Sequence, residues 1–446
     1  MGGDLIMFLT ILGISMVTVF TYLIMSKRLS PIVALTLVPI VFAVVGGFGS
    51  KIGTMMMEGI KLVAPSAALL LFAILFFGIM IDTGLFDPLI KKLLEVVKGD
   101  PVKISIGTTI LALLVALDGD GTTTYIITVS AMYPLYKRIG MNPLVLATVA
   151  MLALSVMSGM TPWGGPATRA IAVLGLDASE FFVPLIPTMI GGAIWVIFVA
   201  FILGKKERKR LGVIHIEELK NEIAATVENE ATDALPHIDI KRPRFLWVNL
   251  LIVVGIMVIL IMGLVPSPIL FLVGFTIALM INYPNLEMQK RRILAHSGNA
   301  LIVVLLVFAA GVFAGIFSGT KMVDAIANGL VAIIPASLGQ FFPVIVGITS
   351  MPFTFVLSND AYYFGVLPIL AEAASAYGIS PLEIARASIL GQPAHLMSPL
   401  VASTILLVGM VDKDLGEYQK FAYKWAILTS LTLTVLAIIS GAISFL

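Results

Sequence analysis

The residues best equipped for chemistry stand where the chain is otherwise apolar. Leu117-Asp118-Gly119-Asp120-Gly121-Thr122-Thr123-Thr124 sets two carboxylates between two uncharged runs, Ile104 to Leu117 and Tyr125 to Leu135. A second polar knot, Leu357-Ser358-Asn359-Asp360-Ala361-Tyr362-Tyr363, lies 240 residues further on, with Asp360 in the place of Asp120. Asp118, Asp120 and Asp360, with Asn359 and Ser358, offer hard oxygen atoms suited to Mg2+ or Ca2+ rather than to soft metals. The same carboxylates could instead carry a proton. A charged side chain at membrane depth is costly unless it is paired or faces a cavity, which makes it a functional candidate by default.

Two Gly- and Pro-rich breaks accompany the knots: Ser158-Gly159-Met160-Thr161-Pro162-Trp163-Gly164-Gly165-Pro166 and Gly391-Gln392-Pro393-Ala394-His395-Leu396-Met397-Ser398-Pro399. Such interruptions in corresponding positions of two halves point to the midplane site of a transporter. Half-helix N-termini attract anions, while unwound carbonyls and carboxylates attract cations. Four tips of this kind suit an anion and a cation together. Thr122, Thr161, Pro162, Gln392 and Ser398 belong to them, with the glycine amides of Gly119, Gly121, Gly159, Gly164, Gly165 and Gly391 as further carboxylate donors.

Enzyme readings of the first knot fail on context. Asp-x-Asp-Gly-Thr resembles the nucleophile loop of haloacid-dehalogenase-type phosphatases, but a membrane-length apolar run follows where that fold needs a soluble sheet. The pattern also mimics the opening of a calcium loop, yet no Glu stands at the twelfth position. A polar bend satisfied by its own backbone is the bland alternative.

Composition sets the class. The 446 residues are 59% hydrophobic and 12% charged, with a mean hydropathy of +1.06, against about 25% charged in soluble domains. This is an integral membrane composition, and the net charge of +2 gives no reason to expect a nucleic-acid partner. The absence of Cys excludes disulfides and cysteine-ligated metals. Apolar runs at 5–25, 31–48, 62–82, 182–203, 246–264, 268–282, 299–319 and 421–444 read as spans, the first as a true span rather than a signal peptide. Segment 87–98 is short and amphipathic, as an interfacial helix would be.

The two halves repeat. Ser30-Pro31-Ile32 returns as Ser267-Pro268-Ile269 at an offset of 237, as does Gly78-Ile79 with Thr83 and Asp87 in Gly315-Ile316 with Thr320 and Asp324. Gly140-Met141-Asn142-Pro143 and Gly378-Ile379-Ser380-Pro381 differ by 238. The order and constancy of these offsets indicate duplication. The expected architecture is an all-α polytopic membrane protein of two inverted-topology repeats, each with a re-entrant helical hairpin and a broken transmembrane helix. Residues 1–204 form the first repeat, 205–244 a cytoplasmic linker and 245–446 the second repeat. With the N-terminus outside, nearly all Lys and Arg fall on the cytoplasmic side, leaving only Lys51, Lys61 and Lys321 outside. The acidic part of the linker, Glu217 to Asp233, reads as a short surface helix, with His215 and His237 as surface residues.

Individual residues admit two roles each. Arg169 could pair a substrate carboxylate bidentately, or pair with Asp177 or Glu180, or reach outward. His395 could titrate near neutral pH or serve as a hydrogen-bonded structural residue. Arg386 is expected to pair with Glu383 or Glu372, while Asp82, Asp87 and Asp324 are expected to cap helices.

Phe77-Gly78-Ile79-Met80-Ile81-Asp82-Thr83-Gly84-Leu85-Phe86-Asp87-Pro88, Lys98-Gly99-Asp100-Pro101 and Leu117 to Thr124 resemble the bacterial citrate-metal ion/proton symporter family of the ion transporter superfamily. Thr161-Pro162 and Ser358-Asn359 resemble its dicarboxylate relatives, whose hairpin tips carry Ser-Asn-Thr. The resemblance spans nearly the whole chain. It implies a homodimer in the bacterial cytoplasmic membrane, an elevator mechanism, and proton-driven uptake of citrate complexed to a divalent metal, with no resident cofactor. Asp360 replaces the Thr of Ser-Asn-Thr, which weakens the case for sodium coupling and fits a metal-bearing substrate or a proton-coupled carboxylate. The rival readings are a transporter of another di- or tricarboxylate, a cation/proton antiporter, and a membrane-embedded hydrolase using Asp118 and Asp120.

Overall fold

The computed structural model describes residues 3–88, 90–92, 99–212 and 240–445. Most of the expected interfacial helix (residues 89 and 93–98), the acidic linker helix at 217–233, His215 and His237 lie outside the described residues.

Among the described residues all regular structure is helical, and eight helical segments are long and apolar enough to cross a membrane. The first half runs α1 (Gly3–Met25), α2 (Pro31–Val45), α3 (Ile52–Asp82), α4 (Pro101–Val115), α5 (Gly121–Ile139), α6 (Pro143–Met160), α7 (Gly165–Leu174), α8 (Ala178–Phe182) and α9 (Ile186–Leu211). The second comprises α10 (Leu246–Met262), α11 (Ser267–Asn282), α12 (Leu286–Gly319), α13 (Met322–Ile333), α14 (Phe342–Val356), α15 (Leu367–Ser375), α16 (Pro381–Ser388), α17 (Ala402–Met410) and α18 (Leu415–Ile439). A π-helical turn, Ala361–Val366, leads into α15, and a single helical turn, Gln392–His395, lies between α16 and α17.

Two expected spans are short. α2 and α11 hold 15 and 16 residues, about 23 Å of helix at the usual rise, against a hydrocarbon core of about 30 Å. The linker boundary also moves. Lys205 to Leu211 continues α9, because the buried Glu207 accepts from the backbone N–H of Asn142 at 2.8 Å and pairs with Arg210, tying the basic end of α9 to the start of α6. The far end of the linker is pinned to α3, with Arg242 N donating to the Thr83 carbonyl at 3.0 Å and Lys241 pairing with Asp87 at 2.7 Å.

Several of the repeated motifs are helix-end signals that do the same local work in both halves. Thr83 and Thr320 are C-caps whose N–H groups return to Ile79 and Ile316, each at 3.0 Å. Gly140 and Gly378 turn left-handed after their helices, at φ 72° and 74°, a conformation open to glycine at little cost. Asn142 and Ser380 then N-cap α6 and α16, accepting from Leu144 and Leu382 before a Pro at the first helical position.

α3 packs along α12 through glycines, so closely that a Cβ on Gly59 would lie 2.9 Å from the Gly315 Cα. Small residues are how membrane helices gain contact where apolar burial gives no drive. Of the candidate spans, the one formed by α6 and α7 is the most enclosed, whereas α10 presents an apolar side outward. α4, α5, α9 and α18 surround α6.

Candidate functional site

The first knot closes on itself. α4 ends in a tight turn, Ala116–Asp118, and Gly119 follows at φ 87°. The buried Asp118 accepts from the backbone N–H of Asp120 at 2.9 Å. Asp120 N-caps α5, accepting from Thr122 N at 3.3 Å, Thr123 N at 2.8 Å and the Thr123 hydroxyl at 2.6 Å. Both carboxylates are thus used to hold the bend and begin α5.

The break after α6 is stitched to this bend. Ser158 Oγ donates to the Gly119 carbonyl at 2.8 Å, and Trp163 Nε1 donates to the Leu117 carbonyl at 2.7 Å. A Cβ on Gly119 would press on Trp163 at 2.9 Å, so glycine answers both the positive φ and the close approach. Gly164 then leads into α7, whose first turn has no side-chain cap, unlike those of α5, α6 and α8. Gly165 and Pro166 open the helix, the Pro162 carbonyl accepts from Thr168 Oγ1 at 3.2 Å, and the buried Thr161 hydroxyl has no partner among the described residues.

Arg169, one turn into α7, reaches the other half. Its Nε donates to Asp360 Oδ1 at 2.7 Å and its Nη1 to the Gly165 carbonyl at 2.8 Å. Asp177 caps α8 instead, accepting from Ser179 and Glu180 N–H groups, so it does not pair with Arg169.

The second knot differs from the first in register. Asp360 does not occupy the place of Asp120; Ser358 does. Ser358 Oγ accepts from Ala361 N at 3.2 Å and its carbonyl from Tyr362 N at 3.0 Å, as Asp120 does with Thr123 and Thr124. The offset is then 238, that of the Gly140/Gly378 pair. Asp360 sits in the first helical turn, equivalent to Thr122, where its side chain points away from the cap and toward Arg169.

The fourth break contacts the second and third. Gln392 Nε2 donates to Asn359 Oδ1 at 3.3 Å and to the Tyr363 hydroxyl at 3.0 Å. A Cβ on Gly159 would touch Gln392 at 3.6 Å, one on Gly121 would come 3.1 Å from Ser403 Oγ, and one on Gly391 would strike the Met351 backbone. His395 Nδ1 lies 2.6 Å from the Thr354 carbonyl and so carries the proton of that bond. Ser398 Oγ accepts from Leu400 N at 3.3 Å. All four tips therefore meet, although Asp118, Asp120 and Asp360 do not form one carboxylate cluster, and no group of three His, Asp or Glu side chains converges among the described residues.

Several charged residues depart from expectation. Arg386 pairs with neither Glu383 nor Glu372 but donates to the carbonyls of Phe181, Ala442 and Glu180, the loose ends of α8 and of the C-terminal turn. Asp82 is no cap: it binds His296 Nε2 at 2.8 Å and faces Arg292 at 3.5 Å across α12. Asp87 pairs with Lys241, while Asp324 lies in the first turn of α13 and pairs with Lys321 at 3.2 Å. Trp163 and Tyr363 went unremarked among the candidates. Trp163 is the one Trp inside a Gly/Pro break, a signal that an indole N–H is needed there, whereas Tyr363 is an aromatic among many.

The sequence profile of a family described as "Citrate transporter" matches residues 7–391. The chain belongs to this citrate transporter family. In Bacillus subtilis it is similar to "Uncharacterized transporter YraO", 67% identical over 98% of this chain and all of that one. It is also similar to a protein named "Citrate transporter" (59%, covering 98% of this chain and all of that one) and to a "Mg(2+)/citrate complex secondary transporter" (52%, covering 98% of this chain and 99% of that one). Among solved structures the fold is similar to the Alcanivorax borkumensis YdaH transporter, with TM-score 0.55, 15% identity and 89% of each chain covered. It is also similar to the Neisseria gonorrhoeae MtrF efflux pump, with TM-score 0.62, 13% identity, and 89% of this chain and 85% of that one covered. The protein is a multi-pass membrane transporter and not an enzyme.

Proposed function

We propose that this protein imports citrate as a complex with a divalent cation such as Mg2+ or Ca2+, driven by protons, through a site enclosed by the four tips. The observation that carries this reading is the first turn of α7. Its backbone N–H groups have no side-chain cap, the Thr161 hydroxyl beside them is buried without a partner among the described residues, and the Arg169 guanidinium stands one turn along. Helix N-termini with free N–H groups and an arginine fork suit a carboxylate. The oxygen atoms of Asp360 and Asn359 lie on the opposing tip, where a cation carried with the citrate would find hard ligands. The names of the relatives at 59% and 52% identity support citrate and its Mg2+ complex as cargo.

In this reading residues 1–204 and 245–446 are inverted repeats, the N-terminus faces outward, and a homodimer works as an elevator in the cytoplasmic membrane. Proton coupling rests on the family resemblance and on the loss of the Ser-Asn-Thr pattern at Asp360. Uptake of labelled citrate into proteoliposomes, with and without Mg2+ or Ca2+ and with an imposed pH gradient, tests the whole scheme. Uptake requiring both the metal and an inward proton gradient is expected. No citrate flux under any ion condition would sink the proposal, and uptake needing Na+ but no divalent metal would sink the coupling.

A further inference from the structure

Arg169 and Asp360 come from different halves of the chain, 191 residues apart, and meet at 2.7 Å with side chains 21% and 14% exposed. Each uses only part of its bonding capacity. Among the described residues Arg169 Nη2 and Asp360 Oδ2 have no hydrogen-bond partner, while Nε and Nη1 hold Arg169 to Asp360 and to its own helix. Around them stand Gln392, Asn359, Tyr363 and His395, all turned to other partners. The Arg169–Asp360 bond thus joins a guanidinium one turn beyond the second tip to the one carboxylate in the four tips that does not hold a backbone turn.

From this we infer that the pair is a charge lock that only a cation–carboxylate complex can open, making Arg169 and Asp360 the residues that select the complex over either ion alone. The inference rests on the transport reading above. A divalent cation arriving by itself can bind Asp360 but leaves a half-buried guanidinium unpaired beside a new positive charge. A free polycarboxylate can bind Arg169 but leaves Asp360 facing further negative charge. Removing one partner of a largely buried ion pair is strongly unfavourable because the other charge is stranded. The complex supplies both replacements in one event: its metal takes a carboxylate oxygen of Asp360, and a carboxylate takes the guanidinium fork of Arg169. Charge is conserved at each end, so neither residue is stranded. When the cargo leaves, the two residues neutralise one another again.

The experiment measures citrate binding to the purified full-length protein by calorimetry, with and without Mg2+. The wild type is expected to prefer the Mg2+ condition by about tenfold or more. In Asp360→Asn the preference should collapse toward unity, because Arg169 is unlocked and no carboxylate waits for a metal. In Arg169→Gln, Mn2+ added without citrate should be held more tightly than by the wild type, read by the loss of free-ion EPR signal. Asp360→Glu, which keeps the charge, should retain the metal preference. An undiminished Mg2+ preference in Asp360→Asn, or equal Mn2+ binding by wild type and Arg169→Gln, overturns the lock while leaving the transport reading in place. If Asp360→Asn does not fold, the Mn2+ arm decides alone. A wild type that binds no citrate with any cation removes the transport reading itself, and the lock with it.

Discussion

The two polar knots are alike in build and are put to opposite uses. In 118–124 both carboxylates serve the bend: Asp118 holds the Asp120 N–H and Asp120 caps α5. In 357–363 a neutral Ser358 takes over the cap, and the acid moves two residues on, into the first helical turn, where it reaches Arg169 in the other half. Moving a carboxylate from the cap to the first turn still keeps it near the positive end of the helix dipole, but it frees both oxygens for partners outside the helix. One knot is therefore closed and local, and the other is open and long-range. The closed knot is also the one stitched to the neighbouring break by Ser158 and Trp163.

Substitutions can break or sharpen this contrast. The largest effect is expected at Gly164, where a Cβ would run into the Ser158 carbonyl. Gly164→Ala should cost about 3 kcal/mol or more by overpacking against backbone, seen as poor folding in detergent or a large drop in melting temperature. Next, Asp360→Leu strands the Arg169 guanidinium, whose side chain is 21% exposed, and should cost about 2–3 kcal/mol, somewhat less than for a fully buried pair. Asp120→Ala should cost about 1 kcal/mol by loss of a cap, and Asp120→Ser should recover most of it. If Asp120→Ser restores melting temperature but not citrate uptake, Asp120 touches cargo and the first knot is not purely structural.

The smallest effect lies at the surface, where Lys137 at the end of α5 meets Asp412 in the turn between α17 and α18 at 2.9 Å. The Lys137 ammonium, with the Tyr133 hydroxyl, holds the Asp412 carboxyl below the usual carboxylate range. A depressed folded value means that this contribution is present above the unfolded pKa near 3.9 and is lost as pH falls through the folded value. Asp412→Asn should lower the melting temperature slightly near neutral pH and flatten its fall below about pH 4, as a scan of melting temperature against pH would record. A difference at neutral pH larger than that of Asp120→Ala would show that this exposed pair matters more than its solvation allows.

Much of the fold was legible because membrane helices announce themselves by length and hydropathy. The limits were physical too. Helices such as α2 and α11 are apolar from end to end, so hydropathy marks them as spans, while Ser30 and Gly46 bound α2 and Pro266 and Tyr283 bound α11. The linker boundary was misplaced because Lys205 to Arg210 looks like a solvated charge run, when one member of it, Glu207, is buried against Asn142. Matching the two acids at an offset of 240 passed over Ser358, since sequence comparison weighs charge and the backbone weighs capping.

The sequence by itself determined the class, most of the helices and the four interruptions, because each of these is written in local chemistry: apolar runs, cap residues, glycines and prolines. Only the tertiary structure decided which acids are spent on turns and which one faces across the halves, and that Arg169 chooses Asp360 over Asp177 and Glu180. Partners 191 residues apart share no local signal. Their pairing depends on how two helix starts are set against each other, and that is fixed by the packing of every element between them.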